Sequence, residues 1–278
     1  MTRCFFGIGG GSDFNTAWLL CDPRDIIITA LAPIYSRGVI DIEETIRKYT
    51  GQPYSIDGNF ELIGITSYLC YSTERVAGAF PVLVDGRRPH SYGLIVPPHS
   101  HKDQFSQCCV KLQELAAGSD IVAVDTGGDS LRGLVGEMGN NDISHLFGGV
   151  RDTRDTDSIC LLRRVTRESF RIYVCGPGSD GETTGASIIE ALDILEHKSS
   201  GAGYELLCTG SMSEFGASFD RIPAWSHPIE GSTISNIMRA LHTPSDWCRV
   251  IRRGRAVSSV PSAILSSYWV LRIRKTPS

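Results

Sequence analysis

Short apolar runs that end in glycine alternate with amphipathic segments along this chain. Arg3–Ile8 is a strand candidate entering Gly9-Gly10-Gly11-Ser12-Asp13, and Phe14–Leu20 then offers a helix whose start Asp13 is placed to cap. Asp25–Leu31 reads as a second strand. Ile42, Ile46 and Tyr49 give Ile40–Tyr49 a helical period, with Thr50-Gly51-Gln52-Pro53 as its stop. Phe60–Tyr71 and Val76–Val84 are apolar and β-leaning, and their pattern does not separate helix from strand. Tyr92–Val96 is a cleaner strand, ended by Pro97-Pro98, and Asp103–Ala117 is a helix closed by Gly118.

That helix leads into Ile121–Ser130, where four apolar residues run into Asp125, Gly127, Gly128 and Asp129. A continuously apolar run bounded by glycine is the pattern of a strand buried on both faces. A glycine-rich passage follows (Gly133, Gly136, Gly139, Gly148, Gly149), and Asp152, Asp155 and Asp157 precede a short helix around Ser158–Val165. Phe170–Cys175 is the next strand. It opens onto Gly176-Pro177-Gly178-Ser179-Asp180-Gly181-Glu182 and a helix over Thr184–His197, whose apolar face is Ile188, Leu192 and Leu195. Gly203–Thr209 is a strand candidate, Ser211–Pro228 is irregular, and Thr233–His242 is helical. Trp247–Ile251, Arg255–Val260 and Ala263–Ile273 close the chain as strands. Alternation of strands and helices predicts a single Rossmann-like α/β domain over 1–278, with a mainly parallel sheet, helices on both faces and an antiparallel C-terminal edge.

Composition changes this picture little. Apolar residues at 41% and charged residues at 21% describe an ordinary protein with material for a core. The net charge of −4 argues against a nucleic-acid partner. The late arginines Arg249, Arg252, Arg253 and Arg255 read as a solvated strand face. Nine cysteines, without a Cys-x-x-Cys pair, fit a reducing compartment. Cys4, Cys175 and Cys208 fall in apolar runs, where a thiol behaves as a small core side chain. No targeting segment precedes the first strand and no apolar run approaches a membrane span, so the expectation is a cytoplasmic protein without a membrane partner.

Chemistry concentrates where strands end in glycine and acid. Ligands reach a parallel sheet at the carboxyl ends of its strands. Gly9, Gly10, Gly11, Ser12 and Asp13 form one such end. Asp125, Gly127, Gly128 and Asp129 form another, and Gly176, Gly178, Asp180, Gly181 and Glu182 a third. Backbone N–H groups of such loops can hold phosphate, while carboxylates bind Mg²⁺ or act as general base. The expectation is therefore a hydrolase or transferase acting on a nucleotide or phosphorylated small molecule. Asp125, Asp129, Asp180 and Glu182 are its candidate catalytic residues. Asp125, Asp129 and Asp180 are its candidate Mg²⁺ ligands, and the glycines with Ser12 and Asp13 its binding loops. An alternative uses Ser12 or Ser130 as nucleophile without metal, and another is a ligand-binding module without chemistry. A third reading of Asp125 and Asp129 is purely local, as caps of a tight turn and the following helix.

Gly176-x-Gly178-x-x-Gly181 satisfies the dinucleotide fingerprint in form. Asp180 and Glu182 would face a pyrophosphate with like charge, and the next strand ends in Thr209 rather than an acid, which argues against a dehydrogenase. His99-Ser100-His101 is a His-x-His pair able to hold a metal, and equally a cap and a surface group.

Three motifs together resemble the DUF1152 proteins: Gly9-Gly10-Gly11-Ser12-Asp13, Asp125-Thr126-Gly127-Gly128-Asp129-Ser130 and Gly176-Pro177-Gly178-Ser179-Asp180-Gly181-Glu182. Ile251-Arg252-Arg253-Gly254-Arg255-Ala256-Val257 is similar to a late Arg-x-Gly-x-Arg-x-Val stretch of that family. The resemblance implies an α/β fold and a site among these loops, and it implies no particular reaction.

Overall fold

Alternation along β1 (Arg3–Gly7) sends Cys4 and Phe6 to one face of a sheet and Phe5 to the other, and all three are buried. Burial on both faces is what a central parallel strand requires. A computed structural model describes residues 2–9, 11–22, 24–37, 39–41, 44, 68–69, 74–75, 90–128, 130–131, 154–197, 203–215, 233–243, 245–252 and 255–275. Gly10, Asp129, Arg253, the glycine-rich passage after Leu131, and most of the segments 42–49, 60–71, 76–84 and 216–228 lie outside the described residues.

After β1 come α1 (Gly11–Leu20), β2 (Ile26–Leu31), β3 (His90–Ile95), α2 (Lys102–Leu115), β4 (Asp120–Thr126) and α3 (Arg154–Val165). The chain continues through β5 (Ser169–Cys175), α4 (Gly185–His197), β6 (Tyr204–Ser211) and α5 (Thr233–His242). It ends in β7 (Trp247–Arg252), β8 (Arg255–Pro261), the short helix α6 (Ser262–Leu265) and β9 (Ser267–Arg274). The main sheet runs β6-β9-β5-β4-β1-β2-β3 and is extended beyond β3 by the short pieces Tyr68–Leu69 and Glu74–Arg75. From β3 to β5 every neighbour is parallel. β9 pairs antiparallel with both β5 and β6 and so makes the antiparallel edge.

Helices cover both faces. Phe14 and Ala17 of α1 and Ile234 and Ile237 of α5 pack with Phe5, Ile27, Val122 and Val124 on one side. On the other, Phe105 and Leu112 of α2, Leu161 and Leu162 of α3, and Ile188 and Leu195 of α4 meet Phe6, Ile28, Ala123 and Ile172. The fold is thus the α/β arrangement that the alternation predicts. Among the described residues no helix is long and apolar enough to cross a membrane.

Three expectations change. The segment Ala263–Ile273 is not one strand, since Ser262–Leu265 is the helix α6 and the strand β9 is Ser267–Arg274. The strands β7 and β8 do not join the main sheet. They form a separate hairpin, whose Val250 and Val260 pack with Leu265 of α6. Cys208, expected in the core, is exposed, because β6 is the outermost strand and its register with β9 shifts between Leu206 and Cys208. Cys4 and Cys175 are buried as expected.

The order has one switch point. The chain moves from β1 outward to β2 and β3, then returns through α2 to place β4 on the other side of β1. A crevice opens outside the carboxyl ends of two strands where connections diverge in this way. The opposite ends of β1 and β2 are tied by Asp25. It accepts the Arg3 N–H (3.0 Å), Arg3 Nε (3.1 Å), Arg3 Nη2 (2.7 Å) and the Asp22 N–H (2.7 Å).

Burial alone would raise the Asp25 pKa, but the Asp22 N–H and the Arg3 guanidinium outweigh it and hold the carboxyl below its usual range. Asp25→Asn is expected to cost about 1.5–3 kcal/mol near neutral pH, read by urea unfolding. A lowered folded pKa gives stability that is present above the unfolded value and lost as pH falls through the folded one. The gap between wild type and variant should therefore close on acidification. A gap independent of pH would show that the charge of Asp25 contributes nothing.

Candidate active site at the carboxyl ends of β1 and β4

Asp13 stands in the first turn of α1, where an acid is favoured by the helix dipole. Its carboxylate is buried and turned away from its own helix. One oxygen accepts the N–H of Gly9, and the other accepts the N–H of Thr126 at 2.7 Å. Asp13 therefore does not cap α1 as expected. It clasps the end of β1 to the end of β4, across the switch point. Thr126 completes the clasp by donating its hydroxyl to Thr16 Oγ1 (2.8 Å).

Asp125 serves its own turn. It accepts the Gly128 N–H (3.3 Å), the Ser130 N–H (3.0 Å) and, in a short contact, the Ser130 hydroxyl. This is the local capping that the spacing of these residues allows. Ser130 is buried at 1% exposure, so its hydroxyl locks the turn. Ser12 is also buried, at the start of α1.

The third loop joins the second directly. Gly127 donates to the Cys175 carbonyl (2.9 Å) and its own carbonyl accepts the Gly178 N–H (2.6 Å). Gly127 has a φ of 122°, and a Cβ there would lie 2.9 Å from the Cβ of Asp180. The glycine thus makes room for the acid. Asp180 Oδ1 accepts the Glu182 N–H at 3.0 Å, and Glu182 pairs with Arg252 of β7. Gly178 and Gly181 are met by protein, the first by Val260 of β8 and the second by Val257 and Val250 of the hairpin. Asn236 of α5 pins this hairpin to the loop, donating to the carbonyls of Ser179 and Ile251 at 2.8 Å each. Gly176, likewise, faces Ile237.

Asp13 and Asp125 lie close enough for the charge of one to raise the pKa of the other, and Asp180 lies against Gly127 of the second loop, whereas Glu182, the other described acid expected at the site, turns to Arg252 of β7. The first turn of α3 adds more. A Cβ on Gly9 would lie 2.9 Å from Asp155 Oδ1, and Ser158 donates to the Ile8 carbonyl at 2.9 Å. Asp157 Oδ1 accepts the His99 N–H at 2.9 Å and lies 2.6 Å from the ring Nδ1 of the same residue. Tyr35 lies edge-on to His101, and burial together with the charge of Asp157 pushes its phenol pKa up. His101 Nδ1 lies 3.2 Å from Gln104 Oε1. The two histidines therefore turn to different partners. Among the described residues no group of three or more His, Cys, Asp or Glu is arranged to hold a metal.

The sequence does not single out this second half of the rim. Asp155 and Asp157 are visible in it as an acidic start to α3, but nothing local to them names Gly9 or His99 as the residues they meet.

Electrostatics separate Asp13 from an ordinary structural acid. Burial first, and then the charge of Asp125, raise its pKa well above the usual carboxylate range. The N–H groups of Thr126 and Gly9 and the charge of Arg154 oppose this without cancelling it. Cys175, at the end of β5, feels the same pair: burial, Asp125 and Asp13 all push its thiol up.

Asp13→Asn should cost about 1–3 kcal/mol, because an amide nitrogen cannot accept and one of the two N–H groups loses its partner. Here the pH dependence runs opposite to that of Asp25. A raised folded pKa gives stability that is full below the unfolded value and lost as pH rises through the folded one. Urea titrations from the ordinary aspartate range toward neutrality should show the gap between wild type and variant narrowing as pH rises. A gap that widens would mean that Asp13 is folded as a stabilised anion.

No family model and no curated protein matches the chain. Among solved structures it is similar to the crystal structure of a mutant of the 16S rRNA (adenine(1408)-N(1))-methyltransferase from Catenulisporales acidiphilia. The identity is 10%, the TM-score 0.33, and the match covers 100% of this chain and 89% of that one.

Proposed function

We propose that the protein is a group-transfer enzyme, a transferase or hydrolase, whose nucleotide or other phosphorylated small molecule binds outside the carboxyl ends of β1 and β4. The observation that carries this reading is the buried acid clasp at the switch point. Such crevices are where open α/β sheets bind their ligands, and a buried acid with a strongly raised pKa is more often found at a working site than in a scaffold. The same reading places the chain with the DUF1152 proteins, on the strength of its three glycine–acid loops.

The acids constrain what the ligand carries. Asp125, Asp155 and Asp180 disfavour a bare polyphosphate, and the Gly9 N–H, a natural donor to phosphate, is already taken by Asp13. Phosphates would have to arrive with Mg²⁺, bound through the carboxylates of the second and third loops, Asp125, Asp129 and Asp180. A second reading follows from the same excess of acid. A nucleoside with a fixed positive charge, such as a sulfonium, would meet the carboxylates without any metal.

Thermal shifts of the full chain separate these cases. Mg²⁺-ATP or S-adenosylmethionine should stabilise the protein, by about 2.7 kcal/mol at a hundredfold excess over Kd. ATP in chelator should not, and Asp180→Asn should lose the shift. Stabilisation by neither Mg²⁺-ATP nor S-adenosylmethionine, or equal stabilisation by ATP with and without Mg²⁺, would overturn the proposal. Product analysis with the ligand that binds then separates transfer from hydrolysis.

A further inference from the structure

We infer that His99 and Asp157 form a proton-transfer pair at the carboxyl end of the sheet, with His99 Nε2 as the base toward a hydroxyl or amine of the acceptor substrate. This inference rests on the group-transfer reading.

The pair is built asymmetrically. The Asp157 side chain is 4% exposed and that of His99 57%. One carboxylate oxygen takes both the His99 backbone N–H and ring Nδ1. An ionised carboxylate only accepts, so in the neutral ring this contact places the proton on Nδ1 and the lone pair on Nε2. The buried acid then fixes the tautomer and offsets the charge that appears when Nε2 is protonated, which is the role an orienting carboxylate plays behind a catalytic histidine.

Placement adds the second argument. Asp157 shares one helical turn with Asp155, which lies against Gly9, and with Ser158, which holds the Ile8 carbonyl. His99 itself follows β3 at the carboxyl end of the sheet. A backbone tether alone would need the His99 N–H bond and not the ring bond. In the step proposed, Nε2 takes the proton of the acceptor O–H or N–H as the freed lone pair bonds to the transferred group. The bond to the leaving group breaks with its electron pair, and the imidazolium returns the proton to water.

The probe is p-nitrophenyl acetate with the full chain. Nε2 attacks the ester carbonyl, the C–O bond to p-nitrophenolate breaks with its pair, and water cleaves the acetyl-imidazole to acetate, restoring the ring. Wild type should release p-nitrophenolate at least about tenfold faster than His99→Gln, and Asp157→Asn should fall by a similar factor. His197→Gln, an exposed histidine on α4, should match wild type. Equal rates for wild type and His99→Gln, or for wild type and a folded Asp157→Asn, would overturn the inference. Should Asp157→Asn not fold, the long-range ¹H–¹⁵N spectrum of wild type decides: a proton on Nδ1 supports the pair, and one on Nε2 overturns it. Failure of nucleosides to shift the melting temperature leaves these readouts untouched, so the two readings fail separately.

Discussion

The Asp13 carboxylate sits where the sheet changes direction, and two strands that the chain visits far apart end on its two oxygens. β1 is the first strand laid down and β4 comes more than a hundred residues later, yet the N–H of Gly9 and the N–H of Thr126 share one acceptor group. Backbone donors at strand ends have no ladder partner, and leaving them unpaired inside the protein is costly. A single side chain from the first turn of α1 satisfies both. In doing so it fixes the spacing of the loops that follow β1 and β4. The loop after β5 is then set by the Gly178-to-Gly127 hydrogen bond. The position of each loop thus depends on the one before it, and the first depends on Asp13.

Close approach explains why these loops are rich in glycine. At Gly9 and Gly127 a Cβ would strike the carboxylates of Asp13, Asp155 and Asp180, so glycine there is the condition for packing acids against backbone. At Gly181 the constraint is a positive φ of 70° together with Val257 of the hairpin. The same residue type therefore marks two different things. At Gly9 and Gly127 it admits carboxylates against the backbone, and at Gly178 and Gly181 it admits the apolar side chains of β7 and β8. A fingerprint such as Gly176-x-Gly178-x-x-Gly181 cannot distinguish ligand approach from protein approach, because both need the missing Cβ.

Much of the fold is legible in the sequence because the buried parallel strands announce themselves. Ile121–Val124 and Phe170–Cys175 are rich in apolar residues and lead into glycine loops, and both belong to the central sheet. Asp125 is legible as a turn cap, but Ser130, read from the sequence only as a candidate nucleophile, is the residue whose N–H and hydroxyl that cap holds. The hairpin is not legible as a cover. Its alternation states that one face is buried, but not that the face lies on the loop of residues 176–182. His99 and Asp157 are separated by 58 positions and each has a bland local explanation. Only the return of α3 to the ends of β1 and β3 makes them a pair. What escapes the sequence is thus contact between elements whose own patterns are satisfied separately.

The two buried aspartates at opposite ends of the sheet have their pKa values shifted in opposite directions. Asp25 lies at the amino ends of β1 and β2 with the Arg3 guanidinium on it, and its pKa is lowered. Its charge is matched within the fold, as a structural acid should be. Asp13 is buried too and accepts two backbone N–H groups, and still its pKa is raised, because the charge of Asp125 adds to the cost of burial. The positive charge of Arg154 reaches Asp13 without offsetting the two. The difference follows from what faces each group: a guanidinium at the amino ends of the strands, and a second carboxylate at their carboxyl ends.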